Sequence, residues 1–328
     1  MAGMASSVPF GTPDQIEVLV SMEPFVREQI VEHLARRNLW FPSDLLPADA
    51  ISSDMIDEDL ARVREAARGL PDAIRVGLAL NLLTEEGLPH FHRLIATHLG
   101  NESPWSTWNN MWTAEEDRHG CALRDYVRDA RIFDMGALER MQYAYIESGF
   151  NPLWEQDPYR LLAYTSMQEK ATQIAHANTG RSCSDYEPRI QRVLAHISAD
   201  ESRHYQFYRA CFDEILKRDP NRALNSLLKV MPALAMPGHS MPGYDHMAEV
   251  VRRAGLYGPR HYQKICEELL SYWRVAELQD LNADGRSAQE KLMKVPLRLA
   301  RMGDYLEAKA GRRTFSFDFI YSRILELD

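Results

Sequence analysis

The chain has 328 residues, 45% hydrophobic and 26% charged, with a formal net charge of −9. That is the balance of a soluble globular protein; no apolar run reaches membrane-spanning length, and no basic–aromatic cluster suits nucleic acid. The four cysteines (Cys121, Cys183, Cys211, Cys266) lack C-x-x-C spacing, and the segment Met1–Phe10 lacks a basic n-region and a long apolar run, so reduced thiols, no secretory signal and a cytoplasmic location are expected.

Taken in order, the apolar periodicity predicts helices over about Gln15–Arg37, Asp57–Arg68, Ala73–Leu99, Ser106–Ala130, Gly136–Ser148, Tyr159–Thr179, Glu187–Arg218, Arg260–Leu278 and Ser287–Ala310. Turn signals separate them at Leu70-Pro71, Ser103-Pro104, Asn151-Pro152, Asp157-Pro158, Asp219-Pro220 and Met236-Pro237-Gly238. β-branched alternation is scarce, so the expected class is all-α. No linker is long or polar enough to divide the chain, which is expected to form one domain over 1–328 with a bundle core at about 73–218.

Two segments look like copies of one unit. Glu85 is followed 31 positions later by Glu116, which with His119 forms a Glu-x-x-His pair; Glu169 is followed 32 positions later by Glu201, paired likewise with His204. Residues i and i+3 share a helix face, so each pair can reach one metal together. The flanks repeat as well: an acid precedes each second glutamate (Glu115, Asp200) and an arginine precedes each histidine (Arg118, Arg203). Two lone glutamates and two Glu-x-x-His pairs on four helices are the donor set of a carboxylate-bridged two-metal four-helix bundle.

The lone glutamates read as buried. Glu85 follows Val76-Gly77-Leu78-Ala79-Leu80-Asn81-Leu82-Leu83, apolar almost all round. An ionised carboxylate there is costly unless paired or bound to metal, and no cation in the sequence clearly answers either glutamate. Thr165 and Thr172 lie one turn either side of Glu169, and small hydroxyls there leave room for a diatomic ligand. Four carboxylates and two imidazoles, with no thiolate, suit iron or manganese.

The words around these residues carry a family resemblance. Thr84-Glu85-Glu86-Gly87-Leu88-Pro89, Trp112-Thr113-Ala114-Glu115-Glu116-Asp117-Arg118-His119-Gly120, Tyr164-Thr165-Ser166-Met167-Gln168-Glu169-Lys170-Ala171-Thr172 and Ser198-Ala199-Asp200-Glu201-Ser202-Arg203-His204 resemble the soluble acyl-[acyl-carrier-protein] desaturases of plant plastids and actinobacteria. The likeness extends from Asn38-Leu39-Trp40-Phe41-Pro42 to Phe315-Ser316-Phe317. It implies a ferritin-like di-iron bundle with further helices packed around it. The implied activity removes two hydrogens from a saturated acyl chain on acyl carrier protein, with dioxygen and electrons from a ferredoxin-type donor. By motif, Glu85 and His119 would be terminal ligands of one iron, Glu169 and His204 of the other, and Glu116 and Glu201 would bridge. Thr172 would lie at the oxygen side; Asp200 would orient His119 and, with Trp40, form an electron route. The resemblance also implies a homodimer, in the cytoplasm of a bacterium or the stroma of a plastid.

Such chemistry needs an apolar channel, and Leu161–Tyr164 is a candidate wall; Met167 stands where plant members usually have Phe. Lys291, Lys294, Arg298 and Arg301, spaced for one helical face that Pro296 would interrupt, with Arg312 and Arg313 beyond, read first as a solvated face and second as a candidate patch for acidic partners on an acidic chain. His90, His92 and His98 read as structural or surface residues. Three other readings stay open: a di-iron oxygenase on another substrate, a ferritin-like iron store, and a ribonucleotide reductase radical subunit. Against the last, the position one turn past His119, where that family carries its radical tyrosine, is Leu123.

Overall fold

The structure, a computed structural model, describes residues 10–46, 53–150, 157–233, 236 and 238–328. The segment Met1–Pro9, the turn expected at Asn151-Pro152 and Pro237 lie outside those residues.

Four long helices make the centre: α5 (Asp72–Glu85), α7 (Pro104–Ala130), α9 (Pro158–Cys183) and α10 (Pro188–Arg218). α5 packs on α7 and α9, and α10 packs on α7 and α9, which closes a ring of four. Four of the Pro-containing turn signals, Leu70-Pro71, Ser103-Pro104, Asp157-Pro158 and Asp219-Pro220, are helix starts. Ser103, Asp157 and Glu187 accept hydrogen bonds from the first free backbone N–H groups of α7, α9 and α10, with Pro104, Pro158 and Pro188 at the first helical position. Proline suits that place because its missing N–H would have no partner there. The same device at Asp219-Pro220 opens α11 (Pro220–Val230), a helix read from the sequence as a turn.

Three predicted helices divide at a proline, and a fourth, expected over Arg260–Leu278, stops after Tyr272, where Arg274 takes positive φ before a 3-10 turn at Val275–Glu277. A helical proline crowds the carbonyl four residues before it. Accordingly α1 (Pro13–Ser21) gives way to α2 (Glu23–Arg36) at Pro24, and α5 gives way to α6 (Leu88–Leu99) at Pro89. At Pro296, α14 (Ala283–Leu292) gives way to α15 (Val295–Ala308). The last break is the interruption that Pro296 led one to expect: Lys291, Lys294, Arg298 and Arg301 fall on two helices and the turn between them rather than on one helical face.

The remaining helices are α3 (Pro42–Leu45), α4 (Ser53–Arg68), α8 (Met135–Ser148), α12 (Tyr244–Arg253) and α13 (Pro259–Tyr272). α2 and α3 lie against α7 and α10, α6 against α7 and α9, α12 against α5, and α13 against α9 and α15. Near the end, β1 (Arg313–Phe317) pairs antiparallel with β2 (Arg323–Leu327), Phe315 opposite Leu325, which the all-helical reading did not expect. Its turn holds Tyr321 and Ser322 at positive φ, and Phe315, Phe317, Phe319 and Ile320 anchor it in the core. No helix among the described residues is long and apolar enough to cross a membrane, and Cys121, Cys183, Cys211 and Cys266 are free thiols.

Candidate metal centre

Glu85 is the last residue of α5, Glu116 and His119 sit in the middle of α7, Glu169 in α9, and Glu201 and His204 in α10. All six are buried, and their donor atoms converge in two groups. One contains Glu85, Glu116, His119 and Glu201; the other contains Glu116, Glu169, Glu201 and His204. Glu116 and Glu201 belong to both. His119 Nδ1 lies 3.3 Å from Glu116, 3.6 Å from Glu85 and 3.6 Å from Glu201. His204 Nδ1 lies 2.8 Å from Glu116, 3.6 Å from Glu169 and 3.8 Å from Glu201.

These atoms face one another without hydrogen-bonding well. His119 Nδ1, His204 Nδ1, Glu116 Oε1, Glu169 Oε2 and Glu201 Oε2 are buried and lack a hydrogen bond of good geometry. Unpaired buried polar atoms are costly, and five of them within these two groups fit cations between them. The ionisation balance agrees. Burial and the charges of Glu116 and Glu169 push Glu201 well above the usual carboxylate range. Burial likewise raises Glu169. Burial opposes charge on the imidazoles, but Glu116 and Asp200 around His119, and Glu115 and Glu116 around His204, raise both. The donors of this set are hard to borderline, as iron or manganese requires.

The far nitrogens of the two imidazoles are held by acids. His119 Nε2 lies 3.1 Å from Asp200 Oδ2, and Trp40 Nε1–H donates to the same oxygen at 2.7 Å. Arg118 bonds the Trp40 carbonyl at 2.8 Å and Asp200 at 3.3 Å, and Arg203 also pairs with Asp200. His204 Nε2 lies 3.0 Å from Glu115 Oε2, and Glu115 is shared with His33 at 3.1 Å. Burial opposes ionisation of Glu115, but His204 and His33 outweigh it and hold its carboxyl well below the ordinary range. Such supports fix ring orientation and tautomer.

Glu115, His33, His176 and Trp112 are the members that sequence reasoning missed. The signal for Glu115 was present: it occupies in the first copy the place of Asp200 in the second. His176, seven residues after Glu169, bonds Glu85 Oε1 at 2.6 Å, so Glu85 does have an answering partner. Burial opposes ionisation of Glu85 too, and His119 and His176 overcome it. Trp112 Nε1–H donates to Glu169 Oε1 at 3.2 Å. His33 carried no sequence signal; only the fold brings it to α7. His90, His92 and His98 bond the Ile146 carbonyl, the Thr113 hydroxyl and the Leu94 carbonyl, as the structural reading expected.

Two cavities meet beside the cluster. The larger, about 350 Å³, lies between α5, α9, α12 and α13. Its wall is largely apolar or aromatic (Leu80, Ala175, Val251, Tyr244, Tyr257, Tyr262), with Thr84, Asn81, Thr172 and His176 at the buried end. The smaller, about 20 Å³, is lined by Thr84, Glu85, Leu88, Phe91, Trp112, Glu116, Gln168 and Thr172. Thr172 thus faces both spaces, although its hydroxyl donates to the Gln168 and Glu169 carbonyls. Thr165 bonds back to its own helix and lines neither. The wall expected at Leu161–Tyr164 is corrected: all four residues are buried, but none lines either cavity. They point into the packed core, where Tyr164 lies parallel to Phe91.

Fold and cluster together define a helical protein built around a buried carboxylate–imidazole cluster whose donor atoms converge in two groups that share Glu116 and Glu201. The profile of the family described as "Fatty acid desaturase" matches residues 14–321. The chain is 34% identical to a chloroplastic stearoyl-[acyl-carrier-protein] 9-desaturase of Gossypium hirsutum, covering 96% of this chain and 83% of that one. It is 33% identical to DesA1 of Mycobacterium tuberculosis, described as an acyl-[acyl-carrier-protein] desaturase, over 91% of this chain and 90% of that one. Among solved structures it superposes on DesA2 of Mycobacterium tuberculosis with a TM-score of 0.60 at 20% identity, covering 80% of this chain and 96% of that one. This chain belongs to the fatty acid desaturase family.

Proposed function

We propose that the protein is an acyl-[acyl-carrier-protein] desaturase that introduces a cis double bond into a carrier-bound saturated acyl chain. One observation carries the reading: two donor groups sharing Glu116 and Glu201 stand beside an apolar cavity that reaches them past Thr84 and Thr172. Two iron ions would be held, one by Glu85 and His119, the other by Glu169 and His204, with Glu116 and Glu201 bridging. Bound iron supplies what no side chain can, the redox chemistry that spends dioxygen and two electrons on an unactivated methylene pair. The sum is an alkane unit, O2, two electrons and two protons giving an alkene and two waters.

The chain's own residues bind, orient and exclude water. The cavity wall holds the hydrocarbon, and Thr172 stands where its end meets the centre. Asp200 and Glu115 fix the two imidazoles. Trp40 is buried, lies parallel to His119 with ring centroids 6.2 Å apart, and sits between the exposed Leu39 and Phe41. That supports an electron route from the surface through Trp40 and Asp200 to His119, for a ferredoxin-type donor. Lys294, Arg298 and Arg301 are exposed and have no ion-pair partner among the described residues. Arg298 and Arg301 share α15 with Met302, at the outer end of the cavity, which suits docking of an acidic carrier protein. Exposed Val20, Val31 and Leu34 on α1 and α2 support association of two chains. We read the whole chain as one domain and its place of work as a bacterial cytoplasm, or a plastid stroma in a plant.

The test is anaerobic reduction of iron-loaded protein, then oxygen with stearoyl- or palmitoyl-carrier protein, with products read by mass spectrometry. Loss of two mass units supports the desaturase; gain of one oxygen atom would make it an oxygenase.

A further inference from the structure

The inner end of the large cavity is more polar than a hydrocarbon requires. Leu80, Ala175 and Val251 give its walls an apolar surface, but Asn81 and His176 face the same space. Asn81 is 7% exposed and His176 1%, yet Asn81 Nδ2 and His176 Nδ1 have no hydrogen-bond partner among the described residues. An alkyl chain laid against them leaves both groups unpaired, at a cost that a leucine at position 81 would avoid.

The two atoms belong to one corner of the site. Asn81 stands one turn before Glu85 on the same face of α5, and His176 reaches Glu85 Oε1 from α9 at 2.6 Å. The Glu85 carboxylate only accepts, so His176 Nε2 is the donor of that bond, and Nδ1 of the neutral ring is an acceptor. Asn81 Nδ2 is a donor. The neighbouring threonine protons are committed elsewhere: Thr84 donates to the Leu80 and Asn81 carbonyls, and Thr172 to those of Gln168 and Glu169. What fits the corner is one oxygen that accepts from Asn81 and donates to His176. A hydroxyl does both; a carbonyl or an ether only accepts, and a methylene does neither.

We propose that Asn81 and His176 form a subsite for one neutral hydroxyl oxygen, carried by the acyl chain or by a bound water. Both residues line the large cavity and neither lines the small one. The large cavity has Asp245 and Met302 exposed at its outer end, so a chain reaching the centre past Thr84 and Thr172 presents to the subsite its carbons on the carrier side of the reacting pair. A hydroxyl at the matching carbon fixes the register of the chain. The inference rests on the desaturase reading and deepens it, because it names a class of substrate, the hydroxylated acyl chain. One such hydrogen-bonded hydroxyl is expected to improve affinity about five-fold over the same group one carbon away.

The experiment measures calorimetric affinity of iron-loaded protein, kept anaerobic so that nothing turns over. The probes are stearoyl-carrier protein and its monohydroxy forms, with the hydroxyl moved one carbon at a time. Wild type is compared with Asn81→Leu and Asn81→Ala, and a crystal structure of chain-free wild type is inspected for water at the two atoms. One position that binds about five-fold tighter than its neighbours in wild type, and loses that advantage in both variants, assigns the subsite to the chain. No favoured position, with a water within hydrogen-bond distance of both Asn81 Nδ2 and His176 Nδ1, assigns it to water. No favoured position and no such water overturn the subsite, as does an advantage that persists without the amide. Failure of every thioester to bind sinks the desaturase reading instead, and the water at the corner then decides the subsite by itself.

Discussion

Glu115 and Asp200 exchange partners across the centre. Glu115, in the first copy of the repeated unit, supports His204 of the second; Asp200, in the second copy, supports His119 of the first. Each acid stands one residue before a shared glutamate, so the helix that offers Glu116 or Glu201 also orients the opposite imidazole. The outer shells differ: Trp40, Arg118 and Arg203 surround Asp200, whereas His33 and, at 3.6 Å, Arg37 face Glu115.

Removing either support should loosen one metal position more than the other. Glu115→Gln and Asp200→Asn are each expected to lower ferrous affinity about 10–100-fold, the usual cost of losing such a support. Competitive chelator titration, with circular dichroism to show an intact fold, measures it. Biphasic binding with only one weakened step is the expected pattern, and unchanged affinity in both variants would contradict the reciprocal arrangement.

Among the described residues, His176 gives Glu85 its one side-chain hydrogen bond from outside the centre. Without it, a buried carboxylate loses a charge-assisted partner. His176→Ala should therefore lower the stability of the metal-free protein by about 1–3 kcal/mol. Urea unfolding of chelator-treated protein reads this directly, and equal midpoints would show that the bond at 2.6 Å contributes nothing.

The electron route predicts a separation of effects at Trp40. Trp40→Phe keeps an aromatic ring beside His119 but deletes the donor to Asp200. Iron content should hold near wild type, while reduction of the oxidised centre by a ferredoxin slows at least several-fold in stopped-flow absorbance. Unslowed reduction would remove Trp40 from the route.

The patch formed by Lys294, at the turn before α15, with Arg298 and Arg301 of α15 is tested through charge. Lys294→Glu with Arg298→Glu should raise the KM for an acyl-carrier substrate and flatten its salt dependence, leaving kcat near wild type. An unchanged KM would exclude docking there.

Away from the centre, Glu249 on α12 lines the large cavity and pairs with Arg252 and Arg253 at 2.8 and 2.7 Å. Hydrogen bonding from Arg252, more than the opposing burial, brings its pKa from 4.5 down to about 2. The folded value lies below the unfolded one, so the stabilisation is complete above about pH 4.5 and is lost as pH falls toward about 2. Glu249→Gln should flatten the acid limb of the stability–pH curve in that window; parallel curves would show the pairs to be inert.

The donor set was legible because its signal is local. Two Glu-x-x-His pairs and two lone glutamates need only helix periodicity to be read, and the apolar run before Glu85 announced burial. His33 and His176 were not legible: their contacts with Glu115 and Glu85 arise between elements, and a histidine on a helix is not rare. Helix ends failed where proline has two meanings. Asp219-Pro220 was read as a turn though it caps and starts α11, and Pro89 and Pro296 end helices whose apolar spacing continues beyond them. β1 shows alternating burial at Phe315 and Phe317, but β2, Arg323-Ile324-Leu325-Glu326-Leu327, has no turn glycine and reads equally as helix.

The measurement closest to the central claim is anomalous X-ray diffraction at the iron edge from crystals soaked anaerobically in ferrous salt. Two peaks are predicted between the bundle helices, one beside Glu85 and His119, the other beside Glu169 and His204, with Glu116 and Glu201 reaching both. No peak there, or a single one touching neither Glu116 nor Glu201, would contradict the account.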